Sequence, residues 1–312
     1  MNEHEGFAPG SLLGMVGAVL ARALAAGALQ PIPTEQIFLE DGGVRFLVRV
    51  LSGLARKQEA RERQERGAAA GKPANPFLPY ERELFVADVS ETHVAILNKY
   101  QVVDDHLLVV TREFEEQRSL LTPRDFQALW RCLGEYPSLG FYNGGPEAGA
   151  SQPHKHLQLV PLPLAREGPA VPIAPLLPAA DASGEIAEVP GLGFLHAFAR
   201  IGRPGGGAER AYELYRSLLG RVGFPPPVGE VAALQSVPYC LLATREWMLL
   251  VPRSREHYRS ISINALGFAG ALLSWNEDQL RALREAGPLA ALRETALPAP
   301  EKRRERPKAT SR

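Results

Sequence analysis

His154, His156 and Gln158 stand two residues apart in the segment Ser151-Gln152-Pro153-His154-Lys155-His156-Leu157-Gln158. If the stretch from Pro153 to Pro163 is a strand, these three side chains share one face while Leu157 and Leu159 share the other, so one face carries chemistry and the other packs. A neutral imidazole is a competent nucleophile at pH 7, because an ordinary pKa near ~6.5 leaves most of it unprotonated. Histidines at this spacing also occur as metal ligands or as satisfied, half-buried side chains. Two facts count against metal: no cysteine or carboxylate lies within five residues of the pair, and a glutamine, a poor ligand, takes the next place on the same face. Ahead of the pair, Gly144, Gly145, Ala148, Gly149, Ala150 and Ser151 have almost no side-chain bulk, which lets backbone N–H groups approach an anion closely. A small-residue loop leading into His-x-His-x-Gln on a strand suggests a phosphate cradle.

Gly149-Ala150-Ser151-Gln152 followed by His154-Lys155-His156-Leu157-Gln158 resembles the signature of the diadenosine tetraphosphate phosphorylases, also called ATP adenylyltransferases, of the histidine-triad superfamily. The likeness extends to Asn98-Lys99-Tyr100, to the segment from His106 to Phe114 and to Gly140-Phe141-Tyr142-Asn143. In the C-terminal half it covers Leu242 to Arg253 and Ile263 to Gly270, so that it spans roughly residues 35–285. It implies an α+β, HIT-like fold: a mostly antiparallel sheet with flanking helices, and a C-terminal ATP-adenylyltransferase-type unit packed against it. The implied organisation is a catalytic half over residues 1–165, a proline-rich connector over 166–192, a C-terminal half over 193–296 and a disordered basic tail over 297–312.

By the same resemblance, Lys57, Asn98, Lys99, Asn143, Gly149, Ala150, Ser151 and Gln152 contact the nucleotide or its phosphates. Asn264, Ala265 and Leu266 lie where relatives bring a C-terminal loop onto the nucleotide as a second wall. Three positions depart from the family pattern. Lys57 sits in Ala-Arg-Lys-Gln rather than the more usual Lys-Lys-Pro, and Ala271 and Trp275 stand where a methionine and a lysine are expected. A phosphate contact is therefore lost or relocated, and the preferred polyphosphate length stays open.

The implied reaction is phosphorolysis of diadenosine tetraphosphate to ATP and ADP. His156 is the expected nucleophile, provided that a backbone carbonyl holds its Nδ1–H, and His154 supports the geometry of the site. Loop N–H groups, Ser151, Gln152 and Lys99 are expected to stabilise charge on the phosphoryl oxygens. Gln158 decides the reaction class: histidine-triad hydrolases carry a third histidine here, which can pass a proton, whereas glutamine only donates and accepts hydrogen bonds. Three alternatives stay open. They are a dinucleotide hydrolase, a hexose-1-phosphate uridylyltransferase, whose usual His-Pro-His-Gly-Gln differs at Lys155 and Leu157, and a non-catalytic nucleotide-binding protein. The expected partners are small nucleotides and phosphate, with no nucleic acid and no membrane. No covalent cofactor is expected, and a divalent cation such as Mg would arrive bound to the nucleotide. The expected assembly is a monomer.

The elements that must position this chemistry follow from composition and pattern. The chain has 312 residues, 45% hydrophobic, enough for a sizeable core, and zero net charge, so that any anion site must be built locally. Cys132 and Cys240 are too few for a disulfide framework and fit a reducing, cytoplasmic compartment. Ser11 to Leu29 is apolar but broken at Arg22, which predicts a packed helix and neither a signal nor a membrane span. Alternation around Asp41-Gly42-Gly43 predicts a hairpin of residues 36–39 and 44–51. Residues 56–80, charged and then proline-rich, read as a mobile loop. Strands are expected at 83–89, 93–97, 107–111, 194–201, 239–244 and 247–251. Helices are expected at 122–135, opened by Thr122-Pro123, and at 208–219, with Tyr212, Tyr215 and Leu219 on one face.

Overall fold

Leu107–Thr111 reads Leu-Leu-Val-Val-Thr, and Tyr239–Ala243 and Trp247–Pro252 are as apolar, the pattern of strands covered on both faces. The computed structural model describes residues 6–51, 75–178, 186–202, 207–227 and 233–300. The hairpin around Gly42-Gly43 is β1 (Thr34–Asp41) and β2 (Val44–Leu51). Next come β3 (Phe85–Asp88), β4 (His93–Leu97), β5 (Leu107–Thr111), β6 (Ser138–Gly144) and β7 (His156–Pro161). They are followed by β8 (Ile186–Ala187), β9 (Ala197–Arg200), β10 (Tyr239–Ala243) and β11 (Trp247–Pro252). These nine, from β3 to β11, form one sheet in the order β3-β4-β5-β7-β6-β10-β11-β9-β8, with every neighbour antiparallel. A short hairpin of β12 (His257–Tyr258) and β13 (Ile261–Ser262) precedes β14 (Ala271–Ser274), which pairs in parallel with β2. The segments on either side of the connector thus share a single sheet, through Asn143 opposite Cys240 and its neighbours on β6 and β10.

One face of that sheet is covered by α1 (Leu12–Ala25), α2 (Pro123–Leu133) and α3 (Gly207–Arg221). Val16, Phe126 and Leu214 pack there with Val109, Leu157 and Leu159. The other face meets β1, β2 and β14 together with α4 (Ala265–Phe268), α5 (Glu277–Ala286) and α6 (Pro288–Thr295). Along β5 the alternation is strict: Leu107 and Val109 face the helices, whereas Leu108 and Val110 join Phe77, Val94 and Ile96 on the opposite side. α2 begins with Thr122 and Asp125 in a reciprocal capping box and Pro123 in its first turn, which satisfies N–H groups that the helix itself cannot. No described helix is long and apolar enough to cross a membrane.

Several elements differ in extent from the sequence reading. The strand expected from Glu83 opens with a 3-10 turn, Arg82–Leu84, and the one expected from Phe194 starts at Ala197. The strand expected from Pro153 begins at His156, because Pro153 has no N–H to donate and His154 makes only an isolated bridge to Glu116. The proline-rich connector holds a 3-10 turn, Ala174–Leu176, and β8, an edge strand of the sheet. Lys57, most of the 56–80 loop and residues 301–312 of the tail lie outside the described residues. The loop's last residues, Asn75 to Tyr80, are described, and Phe77 is buried.

Candidate active site

β6 and β7 pair as far as Phe141 opposite Gln158 and then part. Where Asn143 and His156 would otherwise face each other, the buried carboxamide of Gln117 is inserted. Its Oε1 accepts the His156 N–H at 2.8 Å, and its Nε2 donates to the carbonyls of Asn143 at 2.8 Å and His156 at 3.2 Å. A side chain thereby satisfies the backbone groups that lost strand partners, so the sheet opens without leaving buried polar groups unpaired. The opening leads into a cavity of about 500 Å³, bounded by β4, β5 and β7 on one side and by Asn264 to Gly267 and β14 on the other.

His156 stands at the mouth of this split. Its Nδ1 donates to the His154 carbonyl at 2.8 Å, which leaves Nε2 with an open lone pair, and it has no hydrogen bond to the described residues. The Phe77 ring lies 5.2 Å from the imidazole. Burial pushes the His156 pKa down to about 4, partly countered by the bond to the His154 carbonyl, so the ring is neutral at physiological pH.

His154 is brought beside it but does not line the cavity. Its Nε2 donates to the Thr111 carbonyl at 2.8 Å, and its Nδ1 accepts from Asn75 Nδ2 at 3.0 Å. The rings of Phe77 and Phe114 approach it edge-on at 5.6 Å and 5.5 Å. His154 therefore acts on His156 through its carbonyl, while its own ring fastens the strand entry.

Lys155, between the two histidines, points to the helix side and is fully buried. Its Nζ meets Asp125 Oδ2 at 2.6 Å, Glu115 Oε2 at 3.0 Å and the Leu120 carbonyl at 3.3 Å. Asp125 also accepts from His93 Nε2 at 3.0 Å. Burial alone would raise the Asp125 carboxyl, but the His93 hydrogen bond and the Lys155 charge outweigh it and hold the pKa to about 2.

On the cavity side, Gln158 Oε1 lies 2.9 Å from His106 Nε2, and His106 Nδ1 lies 3.1 Å from Asn98 Nδ2. Burial lowers the His106 pKa to about 4. The Asn98 Oδ1 accepts the Tyr100 N–H at 3.2 Å. Asn143 Oδ1 accepts the Ala265 N–H at 2.9 Å and so joins β6 to α4, while Arg253 Nη1 ties the glycine loop to the facing wall through the carbonyls of Ala148 and Ile263, at 3.3 Å and 2.8 Å. Gly149, at φ +88°, lets the loop approach that wall: a Cβ there would lie 2.9 Å from the Asn264 Cβ.

Of the residues expected from the sequence, Asn98, Lys99 and Asn143 line the cavity, as do Gly149, Ser151, Gln152, His156 and Gln158. Asn264 and Leu266 form part of the facing wall. Ala150 and Ala265 do not reach it: the Ala150 N–H is used on the Gly145 carbonyl at 3.1 Å, and Ala265 is buried beneath. The Gly149 N–H is likewise used inside the loop, on the Pro146 carbonyl at 2.8 Å. The loop donors therefore reduce to Ser151 and Gln152, whose N–H groups bond to none of the described residues. Lys99 Nζ is held by Glu81 at 2.7 Å. Ala271 and Trp275 both line the cavity, so two of the three departures from the family pattern fall on the site itself. Sequence reasoning missed the roles of Asn75, Phe77, His106 and Gln117. Only His106 carried a signal, as the first residue of a segment shared with the family.

Three kinds of comparison agree. The family model described as Ap4A phosphorylase N-terminal domain matches residues 2–179, and that described as ATP adenylyltransferase C-terminal domain matches residues 190–298. The diadenosine 5',5'''-P1,P4-tetraphosphate phosphorylase 2 of Saccharomyces cerevisiae is 29% identical over 274 residues, 77% of this chain and 79% of that protein. Protein APA1 of the same yeast is 26% identical over 306 residues, covering 89% and 91%. The crystal structure of yeast Ap4A phosphorylase Apa2 superposes with a TM-score of 0.74 at 25% identity over 94% of this chain and 99% of that one. The same holds for its complex with Ap4A. With the first family model covering more than half of its length, the chain belongs to the Ap4A phosphorylase family of nucleotidyltransferases.

Proposed function

We propose that the protein phosphorolyses diadenosine tetraphosphate with inorganic phosphate, giving ATP and ADP through an adenylyl group held on His156. The observation that carries this reading is the state of the His156 ring: Nδ1–H is bound to the His154 carbonyl and Nε2 opens into the cavity. Nε2 attacks the α-phosphorus of one adenosine, the P–O bond to the bridging oxygen breaks, and ATP leaves as an anion. A phosphate oxygen then attacks the same phosphorus, the P–N bond breaks, and ADP is formed with His156 restored. Neither step moves a proton through Gln158, which suits glutamine at a place where a hydrolase needs a proton carrier.

The N–H groups of Ser151 and Gln152, which bond to none of the described residues, and the Gln158 amide are the donors at the cavity that would stabilise charge on the phosphoryl oxygens during transfer. The Nδ1–H bond to the His154 carbonyl supports the positive charge that the ring acquires once its Nε2 is adenylylated. Mg²⁺ enters, where it is needed, as the counter-ion of the polyphosphate. The test is to incubate the purified protein with diadenosine tetraphosphate with and without phosphate and to separate the nucleotides. ATP and ADP formed only with phosphate is the expected result; turnover without phosphate to AMP and ATP would make the protein a hydrolase.

A further inference from the structure

Asn98, His106 and Gln158 belong to three neighbouring strands or strand ends, and their polar atoms meet in one line. Each of these side chains can be turned over, exchanging donor for acceptor, with almost no change of shape. One contact removes that freedom. The Tyr100 backbone N–H can only donate, so the Asn98 atom that faces it must be the oxygen. Asn98 then turns its NH₂ to His106, so that Nδ1 of that ring accepts and Nε2 carries the hydrogen. The Nε2–H in turn faces the Gln158 oxygen. The Gln158 NH₂ is left pointing away from the protein, at the cavity, with no hydrogen bond to the described residues.

We propose that Tyr100, Asn98 and His106 form a relay that locks the Gln158 amide with its NH₂ toward the substrate, which makes Asn98 and His106 positioning residues for the reacting phosphoryl group. An NH₂ in that place attracts an anionic phosphoryl oxygen, whereas a flipped amide would set a carbonyl oxygen against it. The locked orientation therefore favours oxyanionic substrates before any reaction begins. A protonated His106 would turn a second N–H against the Asn98 NH₂ and unlock the relay; its burial opposes that protonation. Asn98, which the family resemblance gives as a nucleotide contact, thereby takes a different part, since Gln158 touches the phosphoryl group and Asn98 sets which way Gln158 faces.

The tautomer is measured directly, without substrate, on the full chain labelled with ¹⁵N-histidine. A His106 ring protonated at Nε2 and bare at Nδ1, assigned by comparison with His106→Leu, is the expected result; a ring protonated at Nδ1 overturns the relay. A kinetic arm rests on the phosphorolysis reading above. His106→Leu and Gln158→Leu should each lower kcat about tenfold or more, with KM changed far less, and the double variant should be no slower than Gln158→Leu alone. Losses that multiply would show that His106 acts independently of Gln158, against the proposal. If the wild type fails to turn over diadenosine tetraphosphate, the activity is wrong and the tautomer measurement alone decides the relay. The same holds if His106→Leu does not fold, with Asn98→Leu then supplying the assignment.

Discussion

The Nδ1 of His156 is bound to the carbonyl oxygen of His154, two residues back on its own chain, at 2.8 Å. A single backbone contact thus fixes both the tautomer of His156 and the direction of Nε2, and no carboxylate is needed to orient the ring. If Nε2 attacks as proposed, replacing the ring removes the attacking atom but not the cavity. His156→Ala should still bind nucleotide yet lose turnover by about 10⁴-fold or more. Incubation with labelled diadenosine tetraphosphate followed by denaturing separation should leave no label on the variant protein. Label retained on His156→Ala would take His156 out of the role.

Gln158 faces the cavity where a hydrolase would place a histidine. Gln158→His should raise hydrolysis relative to phosphorolysis, by about tenfold or more, because the new side chain can carry a proton to or from water. The ratio of AMP to ADP produced at fixed phosphate measures it. An unchanged ratio would mean that the reaction class is set elsewhere.

Lys155 and Asp125 form a fully buried ion pair behind the strand that carries His156. Lys155→Met leaves the Asp125 carboxylate without its cation and should cost about 3–5 kcal/mol of stability. Pairing it with Asp125→Asn should recover part of that loss, because the uncompensated charge is removed with its partner. Urea midpoints of the two single variants and the double check this; strictly additive losses would count against a coupled pair.

Burial lowers the folded-state pKa values of His106 and His156 to about 4, below the ~6.5 of an unfolded chain. Between these values the unfolded chain binds protons that the folded protein does not, so stability falls as pH drops through the window from 6.5 to 4 and is flat above it with respect to these rings. Each ring contributes on the order of 3 kcal/mol across the whole window. Thermal melting from about pH 8 to about pH 4 should show the decline beginning near pH ~6.5 in the wild type and a shallower slope in His106→Leu. His156 stays neutral throughout most of that range, so that, if it attacks as proposed, the acid limb of kcat/KM lies near pH 4 and not near 6.5.

The parts legible in the sequence were those with a local signal. Alternation gave the shared face of His156 and Gln158, the turn at Gly42-Gly43 gave the first hairpin, and Thr122-Pro123 marked the start of α2. What escaped depends on residues far apart along the chain. Gln117 reaches a strand that starts at His156, and Asn75 reaches His154, with no periodicity to announce either contact. Lys155 gave no sign of burial, since a lysine on a strand is ordinarily solvated and only the carboxylates of Asp125 and Glu115 make its position tolerable. The glycine-rich loop suggested a cradle of N–H groups, but its tight internal turns use those of Gly149 and Ala150 and leave the following pair as the donors.

The pairing of β6 with β10 has a consequence for how the chain can be divided. The sheet formed by the residues before the connector ends at β6, whose free side is filled by residues after it, through Tyr239 to Ala243 opposite Gly144 to Gly140. Cut between Pro178 and Ile186, the polypeptide would give two fragments with matching open edges, each incomplete alone and each a template for the other. Mixed after separate expression, such fragments are expected to zip together into a two-piece enzyme, with both walls of the cavity restored at once.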